Sequence, residues 1–373
     1  MKKKVSILGS TGSVGTQALE IISKFKDEFE IISLTAGLNE ELLEKQINIY
    51  KPQFYFSLNE KIYSHSKRLS SLEEILKYDE SDLIIIAISG ISGITPTINA
   101  VRQGRNIALA NKESLVSAGD LIMDIAKSSG SKIIPLDSEH SAILQCMEGA
   151  VSKSSIDKII ITSSGGSLRD VPSNDLRNIT LEKVLNHPNW SMGNKITIDS
   201  ATLINKVFEV QEAVNLFKFP ISDIEVIIHR ESIIHGMIKF KDGNTKALLS
   251  LPDMKLPISY ALFYPERSTD INSGSLDFNL IKNLSFSQID IDNLPWYKFG
   301  MDLMSKKGLY PAFLVGSDQA AVEMFMDGKV TYMEMLKVMK DSLNLFINGS
   351  KNYDIDSAQN TVEWSYMNTL ERA

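Results

Sequence analysis

The stretch SILGSTGSVGTQALEII, residues 6–22, constrains the fold more than any other part of this chain. A short apolar run ends in glycines at 9, 12 and 15, and an amphipathic helical pattern follows at once. Strand, glycine turn and helix in that order form the opening unit of a doubly wound α/β sheet. Gly9 permits the tight turn, Gly12 lets backbone N–H groups approach a pyrophosphate, and Gly15 lets helix pack on strand, with the helix N-terminus facing the anion. Ser10, Thr11 and Ser13 can add hydroxyl donors. The spacing is one residue longer than the common dinucleotide fingerprint, so a merely tight turn is the competing reading.

The alternation continues. Apolar runs at Val5–Leu8, Glu30–Thr35, Phe54–Ser57, Leu83–Ala87, Asn106–Ala108 and Lys132–Pro135 are separated by helical patterns such as Thr16–Lys26 and Leu42–Tyr50. That spacing predicts a Rossmann-like doubly wound parallel sheet with helices on both faces. From about residue 157 the strands lengthen, with a hairpin turn at 241–244 and a single long helix over Ala201–Phe217. The expected organisation is a nucleotide-binding domain over 1–136, an α+β catalytic domain over 137–264, a linker over 265–295 and an α-helical domain over 296–373.

Composition narrows the class. The net charge of −7 argues against a nucleic-acid binder, whose footprint is usually basic. The single cysteine, Cys146, excludes an intrachain disulfide and reads as a core thiol. The opening MKKK is followed by too short an apolar run for a signal peptide, and no stretch is long enough for a membrane span, so a cytoplasmic protein is expected.

IIPLDSEHSA, residues 133–142, places Asp137, Ser138, Glu139 and His140 at the end of an apolar run, where strand ends face the ligand crevice. If the strand continues, Asp137 and Glu139 share a face and suit a hard divalent cation. If it does not, Asp137 or Ser138 caps a helix. Downstream, Ser200 is a candidate cap for the helix starting near Ala201, on which Asn205 and Glu209 share a face with Lys206 beside them. That set is a ligand group or a solvated polar edge. HPNWSMG, 187–193, is a lid or a clip that tucks Trp190 into a core. ITSSGGSLRD, 161–170, is a phosphate nest or an ordinary glycine turn. Lys112 follows a strand end and points into the crevice or out to solvent.

Together GSTGSVG, LANKESLVSAG, PLDSEHSAI, TSSGGSLRD, HPNWSMGNKITIDSATLINKVFE, IIHRESIIHGM and LPDMKLPISYALFYPER resemble, in order and spacing, the 1-deoxy-D-xylulose 5-phosphate reductoisomerases from about residue 4 to 330. The block from His187 to Glu209 is the most specific. The resemblance implies rearrangement and NADPH-dependent reduction of 1-deoxy-D-xylulose 5-phosphate, in non-mevalonate isoprenoid synthesis, by a homodimer with no nucleic-acid or membrane partner. It implies that Asp137, Glu139 and Glu209 hold Mg²⁺, Mn²⁺ or Co²⁺. Ser164, Ser200, Asn205 and Lys206 would grip the substrate phosphate, and Ser138 and Lys112 would contact substrate oxygens near the metal. His187 and the Trp190–Met192 loop would close over the site, with His140 and His235 nearby. Thr11, Gly12, Ser13, Val14, Gly37, Asn39, Asn111 and Glu113 would line the cofactor site.

Three departures from the family pattern stand out. Leu38 occupies a position after Ala36-Gly37 where Lys or Arg is frequent, which predicts a weaker preference for NADPH over NADH. The usual Asn-Ala-Ala-Asn-Glu reads VGSDQ, 315–319, and SGGSLR lacks the common Pro-Phe. Competing functions are a metal-free NAD(P)-dependent dehydrogenase of a small aldehyde or alcohol, and a nucleotide-binding module without chemistry.

Overall fold

The computed structural model describes residues 1–372 except 60, 64, 149–151, 191, 270, 272, 292–293, 307 and 348–352. The chain divides into two compact units, one of residues 1–114, 122–141 and 253–274, the other of 115–121, 142–252 and 275–373.

The first unit is built on seven parallel strands: β1 Lys3–Leu8, β2 Phe29–Ala36, β3 Phe54–Ser57, β4 Lys67–Arg68, β5 Leu83–Ile86, β6 Ile107–Leu109 and β7 Ile133–Pro135. Their order is β4-β3-β2-β1-β5-β6-β7. The chain order reverses between β1 and β5, which makes the crevice beyond their C-terminal ends the ligand position of this architecture. All four residues of β5 are buried, as expected of a parallel strand covered on both faces. The helices are α1 Ser13–Lys24, α2 Glu40–Tyr50, α3 Leu72–Tyr78, α4 Ile94–Arg102, α5 Lys112–Ser129 and α6 Ser138–Met147, the last two divided between the units. Five of the six expected strand ranges are shifted by one or two residues at an end, and Phe54–Ser57 is as expected. The two-residue β4 was too short to read.

The second unit holds α7 Leu181–Leu185, α8 Asn194–Thr202 and α9 Ile204–Phe217. Its mixed sheet comprises β8 Ile156–Ser163, β9 Ile224–Ile228, β10 Ile234–Phe240, β11 Thr245–Leu249 and β12 Ser287–Gln288, in the order β11-β10-β8-β9-β12. The hairpin at 241–244 forms as expected, with Gly243 at φ 93° and its N–H on Phe240 O. Cys146 packs with Ile143, Ile159, Ile161, Val210 and Ile238, and burial pushes its thiol up to about 11.

The sequence-based boundaries do not coincide with this division. Helix α10, Lys255–Phe263, belongs to the first unit, where the Phe263 ring meets Phe25 and Phe29 edge-on at 5.0 and 5.1 Å. The C-terminal helices α11 Pro295–Met304, α12 Tyr310–Met326, α13 Tyr332–Leu343 and α14 Ile355–Leu370 belong to the second. Gly300 of α11 sits so close to α9 that a β-carbon there would lie 2.8 Å from Val207. The expected linker contains β12, and parts of it lie outside the described residues.

The expected single helix over Ala201–Phe217 is corrected to two, α8 and α9. Leu203 takes the left-handed conformation (φ 61°) and breaks the chain between them. The apolar periodicity runs through the break, so nothing in the pattern marked it. Ser200 is therefore not a cap but a buried residue inside α8.

Candidate active-site clusters

In the first unit the glycine turn behaves as its spacing required. Gly9 has φ 90°, and a β-carbon on it would lie 2.6 Å from Ala87 O; one on Gly15 would lie 2.4 Å from Gly9 O. Gly12 is different. Only Gly9 O at 3.4 Å and Ala87 O at 3.8 Å lie near its β-position, so packing within the fold does not demand glycine there. It precedes α1 without a side-chain cap, leaving the first N–H groups of that helix for an anion. Thr11, Ser13 and Val14 are exposed or half-exposed around it, and Gly37 is open. Ser10 is corrected as an anion donor: it is fully buried and donates to Gln46 Oε1 at 2.7 Å. Asn39 caps α2 through Leu42 N (3.2 Å). Asn111, buried, caps α5 and donates to Gly90 O (2.8 Å) and Glu113 Oε2 (2.9 Å). Leu38 is 82% exposed.

At the ends of β6 and β7 lies the acidic cluster. The strand does not continue past Pro135: α6 starts at Ser138, so Asp137 and Glu139 do not alternate along a strand. Asp137 Oδ1 accepts from the N–H groups of Glu139 (3.1 Å) and His140 (3.3 Å), the geometry of a cap, and lies 2.8 Å from His140 Nδ1. Its other oxygen pairs with Lys112, which is buried, so the solvent-facing reading of that lysine is excluded. Burial alone would push the Asp137 carboxyl up; the charges of Lys112 and His140 outweigh it and hold the group well below the usual carboxylate range. Ser138 donates to Glu139 Oε2. Capping uses one face of Asp137 and does not exclude cation binding. Two half-buried carboxylates two residues apart, with a serine hydroxyl between, remain a hard oxygen donor set fitted to Mg²⁺ or Mn²⁺.

In the second unit a different cluster forms. β8 delivers Ser164, whose Oγ is 3.1 Å from His187 Nε2. His187 Nδ1 accepts from the backbone N–H groups of Asn189 (3.2 Å) and Trp190 (3.0 Å). This places its proton on Nε2, facing Ser164. Burial, with Arg169 nearby, lowers the imidazole to about 4. Gly165 and Gly166 both take positive φ, and a β-carbon on Gly166 would lie 2.3 Å from Ser200 O. The serine-glycine turn thus packs directly on α8. On α9, Lys206 donates to Thr162 O (2.6 Å) and pairs with Glu209, which also accepts from Asn205 Nδ2 (2.6 Å). Lys206 and Glu209 are 3% and 1% exposed, so this is not a solvated polar edge. Trp190 lies half-buried, its ring 6.0 Å from that of His235, and Met192 is half-buried in the same loop.

Sequence reading missed two contributors. Arg169 donates to Ser164 O at 2.9 Å and fixes the turn. Lys195 pairs with Asp199 (2.5 Å) and Asp318 (2.8 Å). The first had a visible signal, a cation five residues past Ser164; the second spans 123 residues and had none.

An open glycine turn at the switch point of a parallel sheet in the first unit, and a buried lysine–carboxylate set beside a serine-glycine turn in the second, are the marks of a nucleotide-binding enzyme for an anionic substrate. The comparisons specify which. The model of 1-deoxy-D-xylulose 5-phosphate reductoisomerase matches residues 5–119, that of its C-terminal domain 133–217, and the DXP reductoisomerase C-terminal domain 249–368. The reductoisomerase of Thermoanaerobacter pseudethanolicus is 43% identical over 352 residues, 91% of this chain and 92% of that protein. That of Thermodesulfovibrio yellowstonii is 44% identical over 348 residues, 91% of each. A crystal structure of DOX-P reductoisomerase in complex with NADPH, fosmidomycin and magnesium superposes with a TM-score of 0.91 at 32% identity, covering 99% of this chain and 97% of that one. The Zymomonas mobilis enzyme in complex with NADPH gives 0.90 at 30% identity, covering 100% and 99%. The chain belongs to the 1-deoxy-D-xylulose 5-phosphate reductoisomerase family.

Proposed function

We propose that this protein converts 1-deoxy-D-xylulose 5-phosphate to 2-C-methyl-D-erythritol 4-phosphate, using NADPH and a divalent cation, in non-mevalonate isoprenoid synthesis. Identity of 43% with a reductoisomerase over 91% of the chain carries this reading. Asp137, Glu139 and Glu209 would hold the cation, and Thr11–Val14, Gly37, Asn39, Asn111 and Glu113 the nucleotide. When bound, the cation supplies Lewis-acid polarisation of the substrate's carbonyl and hydroxyl oxygens, and NADPH supplies the hydride.

The chain's own residues do the rest. Ser164, Ser200, Asn205 and Lys206 bind the phosphate, which is remote from the reacting carbons, so its binding energy serves positioning. Lys112 and Ser138 contact substrate oxygens, the lysine adding positive charge where negative charge develops. His187, neutral with its proton on Nε2, donates toward the bound substrate. Trp190 and Met192 close over it and exclude water.

The family resemblance supports a homodimer. Light scattering returning a mass near 41.6 kDa at working concentration would remove the dimer. Among the described residues no helix is long and apolar enough to cross a membrane. With a single cysteine, we assign the enzyme to the cytoplasm.

The test is the decay of NADPH absorbance with purified protein, 1-deoxy-D-xylulose 5-phosphate and Mn²⁺, with and without a chelator. Decay abolished by the chelator is expected. Decay that resists it points to a metal-free dehydrogenase, and no decay in folded protein removes the assignment.

A further inference from the structure

The VGSDQ segment, 315–319, carries an aspartate, Asp318, followed by an uncharged Gln319. Asp318 lies on α12 and is almost fully buried. Its Oδ2 is 2.8 Å from Lys195 Nζ, and the same ammonium reaches Asp199 Oδ2 at 2.5 Å and lies 5.4 Å from the centre of the Phe208 ring. One cation therefore touches α8 through Asp199, α9 through Phe208 and α12 through Asp318. The Lys195–Asp199 pair alone is a contact four residues apart on one helix and says nothing about how α8 is rotated. Asp318 supplies a charged contact from outside the helix.

What α8 carries makes that rotation consequential. Asp199 directly precedes Ser200, and Asp199 O accepts from Thr202 Oγ1 (3.1 Å) in the last turn before Leu203. The Ser200 carbonyl backs onto Gly166, with no room for a β-carbon. Ala201 O accepts from Tyr332 Oη at 3.1 Å. A turn of α8 about its axis would displace Ser200 and the serine-glycine turn together.

We infer that Asp318 is a positioning residue for substrate-phosphate binding, acting through Lys195 to fix the rotation of the helix that carries Ser200. This rests on the phosphate assignment made above for Ser164, Ser200, Asn205 and Lys206. In this chain the acid that faces Lys195 stands at 318. Gln319 points elsewhere, donating to Glu323 Oε1 at 2.6 Å, and a residue of α12 one position on is turned by about 100°. A carboxylate at 319 would face Glu323, not Lys195.

The experiment uses the full-length enzyme with inorganic phosphate as a competitive probe against 1-deoxy-D-xylulose 5-phosphate. Asp318→Asn is expected to raise KM and the phosphate inhibition constant each about tenfold and to lower kcat less than threefold. NADPH affinity should hold, which a general loss of structure would not allow. Lys195→Met should give the same KM defect, and the double variant should be no worse than either single one. Asp318→Asn/Gln319→Glu, which moves the acid to the family's usual place, should not restore KM. Asp318→Glu keeps the charge and should restore most of it; it also serves if Asp318→Asn does not fold. The inference is overturned if Asp318→Asn leaves KM and phosphate inhibition unmoved while Lys206→Met weakens both. It is equally overturned if the acid at 319 restores function. If Lys206→Met leaves phosphate inhibition unchanged, the phosphate assignment itself falls, and this inference with it.

Discussion

Two buried lysine–carboxylate pairs, one in each unit, have the same chemistry and opposite origins. Lys112 and Asp137 are 25 residues apart and meet because β6 and β7 are parallel neighbours, so α5 and α6 begin side by side. Lys206 and Glu209 are three residues apart on one helix. The first pair exists only if the sheet forms in register; the second needs only α9. Both lysines stand in the first turn of a helix, where the helix dipole disfavours a cation, and Asp137 and Glu209 offset that cost.

That contrast is testable, beginning with the largest effect. Glu209→Gln should lower kcat/KM about 10³-fold, about 4 kcal/mol of transition-state stabilisation, and raise the Mn²⁺ concentration for half-activity, with the circular dichroism spectrum unchanged. Near-normal turnover at limiting Mn²⁺ would remove Glu209 from the ligand set. The two lysines should then separate. Lys112→Met is expected to lower kcat about 10²-fold, because its charge acts where the reaction develops charge. Lys206→Met should instead raise KM about 30-fold, the loss of about 2 kcal/mol from a charged hydrogen bond. If both variants show the same split between kcat and KM, the functional distinction between the pairs is wrong.

The neutral His187 gives a pH prediction. Its folded-state pKa, lowered to about 4, lies below the unfolded value near 6.5. As pH falls through that window the unfolded chain takes up the proton first, so the group withdraws stability between about 6.5 and 4 and is silent at pH 7. An NMR titration of the His187 ring in the free enzyme should show no transition between pH 7 and 5.5. A midpoint near 6.5 would contradict it, and Arg169→Ala should move the midpoint upward. The smallest effect belongs to Leu38. The wild-type preference for NADPH over NADH should be modest, and Leu38→Lys should raise it about fivefold, about 1 kcal/mol. An unchanged ratio of kcat/KM values would show that no cation is needed there.

Legibility followed the range of the interaction that decides each feature. The first sheet was readable because a short strand, a glycine turn and a helix repeat locally, and buried β5 is apolar throughout. The tight positions of Gly9 and Gly15 were legible from spacing alone, yet Ser10 was misjudged, since its partner Gln46 is 36 residues away. The Asn205–Lys206–Glu209 set was visible as one helix face, while its burial was not, because α11 and β8 cover it. At Asp137 the residues admitted strand or cap, and only the start of α6 decided between them. Helix α10 falls within the expected 137–264 domain by sequence position, but its aromatic partners, Phe25 and Phe29, lie over 230 residues earlier, and no local pattern marks that packing.

The left-handed Leu203 has a directional consequence. On an unbroken helix Ser200 and Asn205 would point about 140° apart. The proposed phosphate site asks both to face one ligand. One residue in a conformation that costs a leucine about 1–2 kcal/mol resets the helical phase. It also gives α9 its own start, immediately before Asn205 and Lys206. The aim of two side chains is thereby uncoupled from their spacing in the chain, which a continuous helix does not permit at any choice of residue.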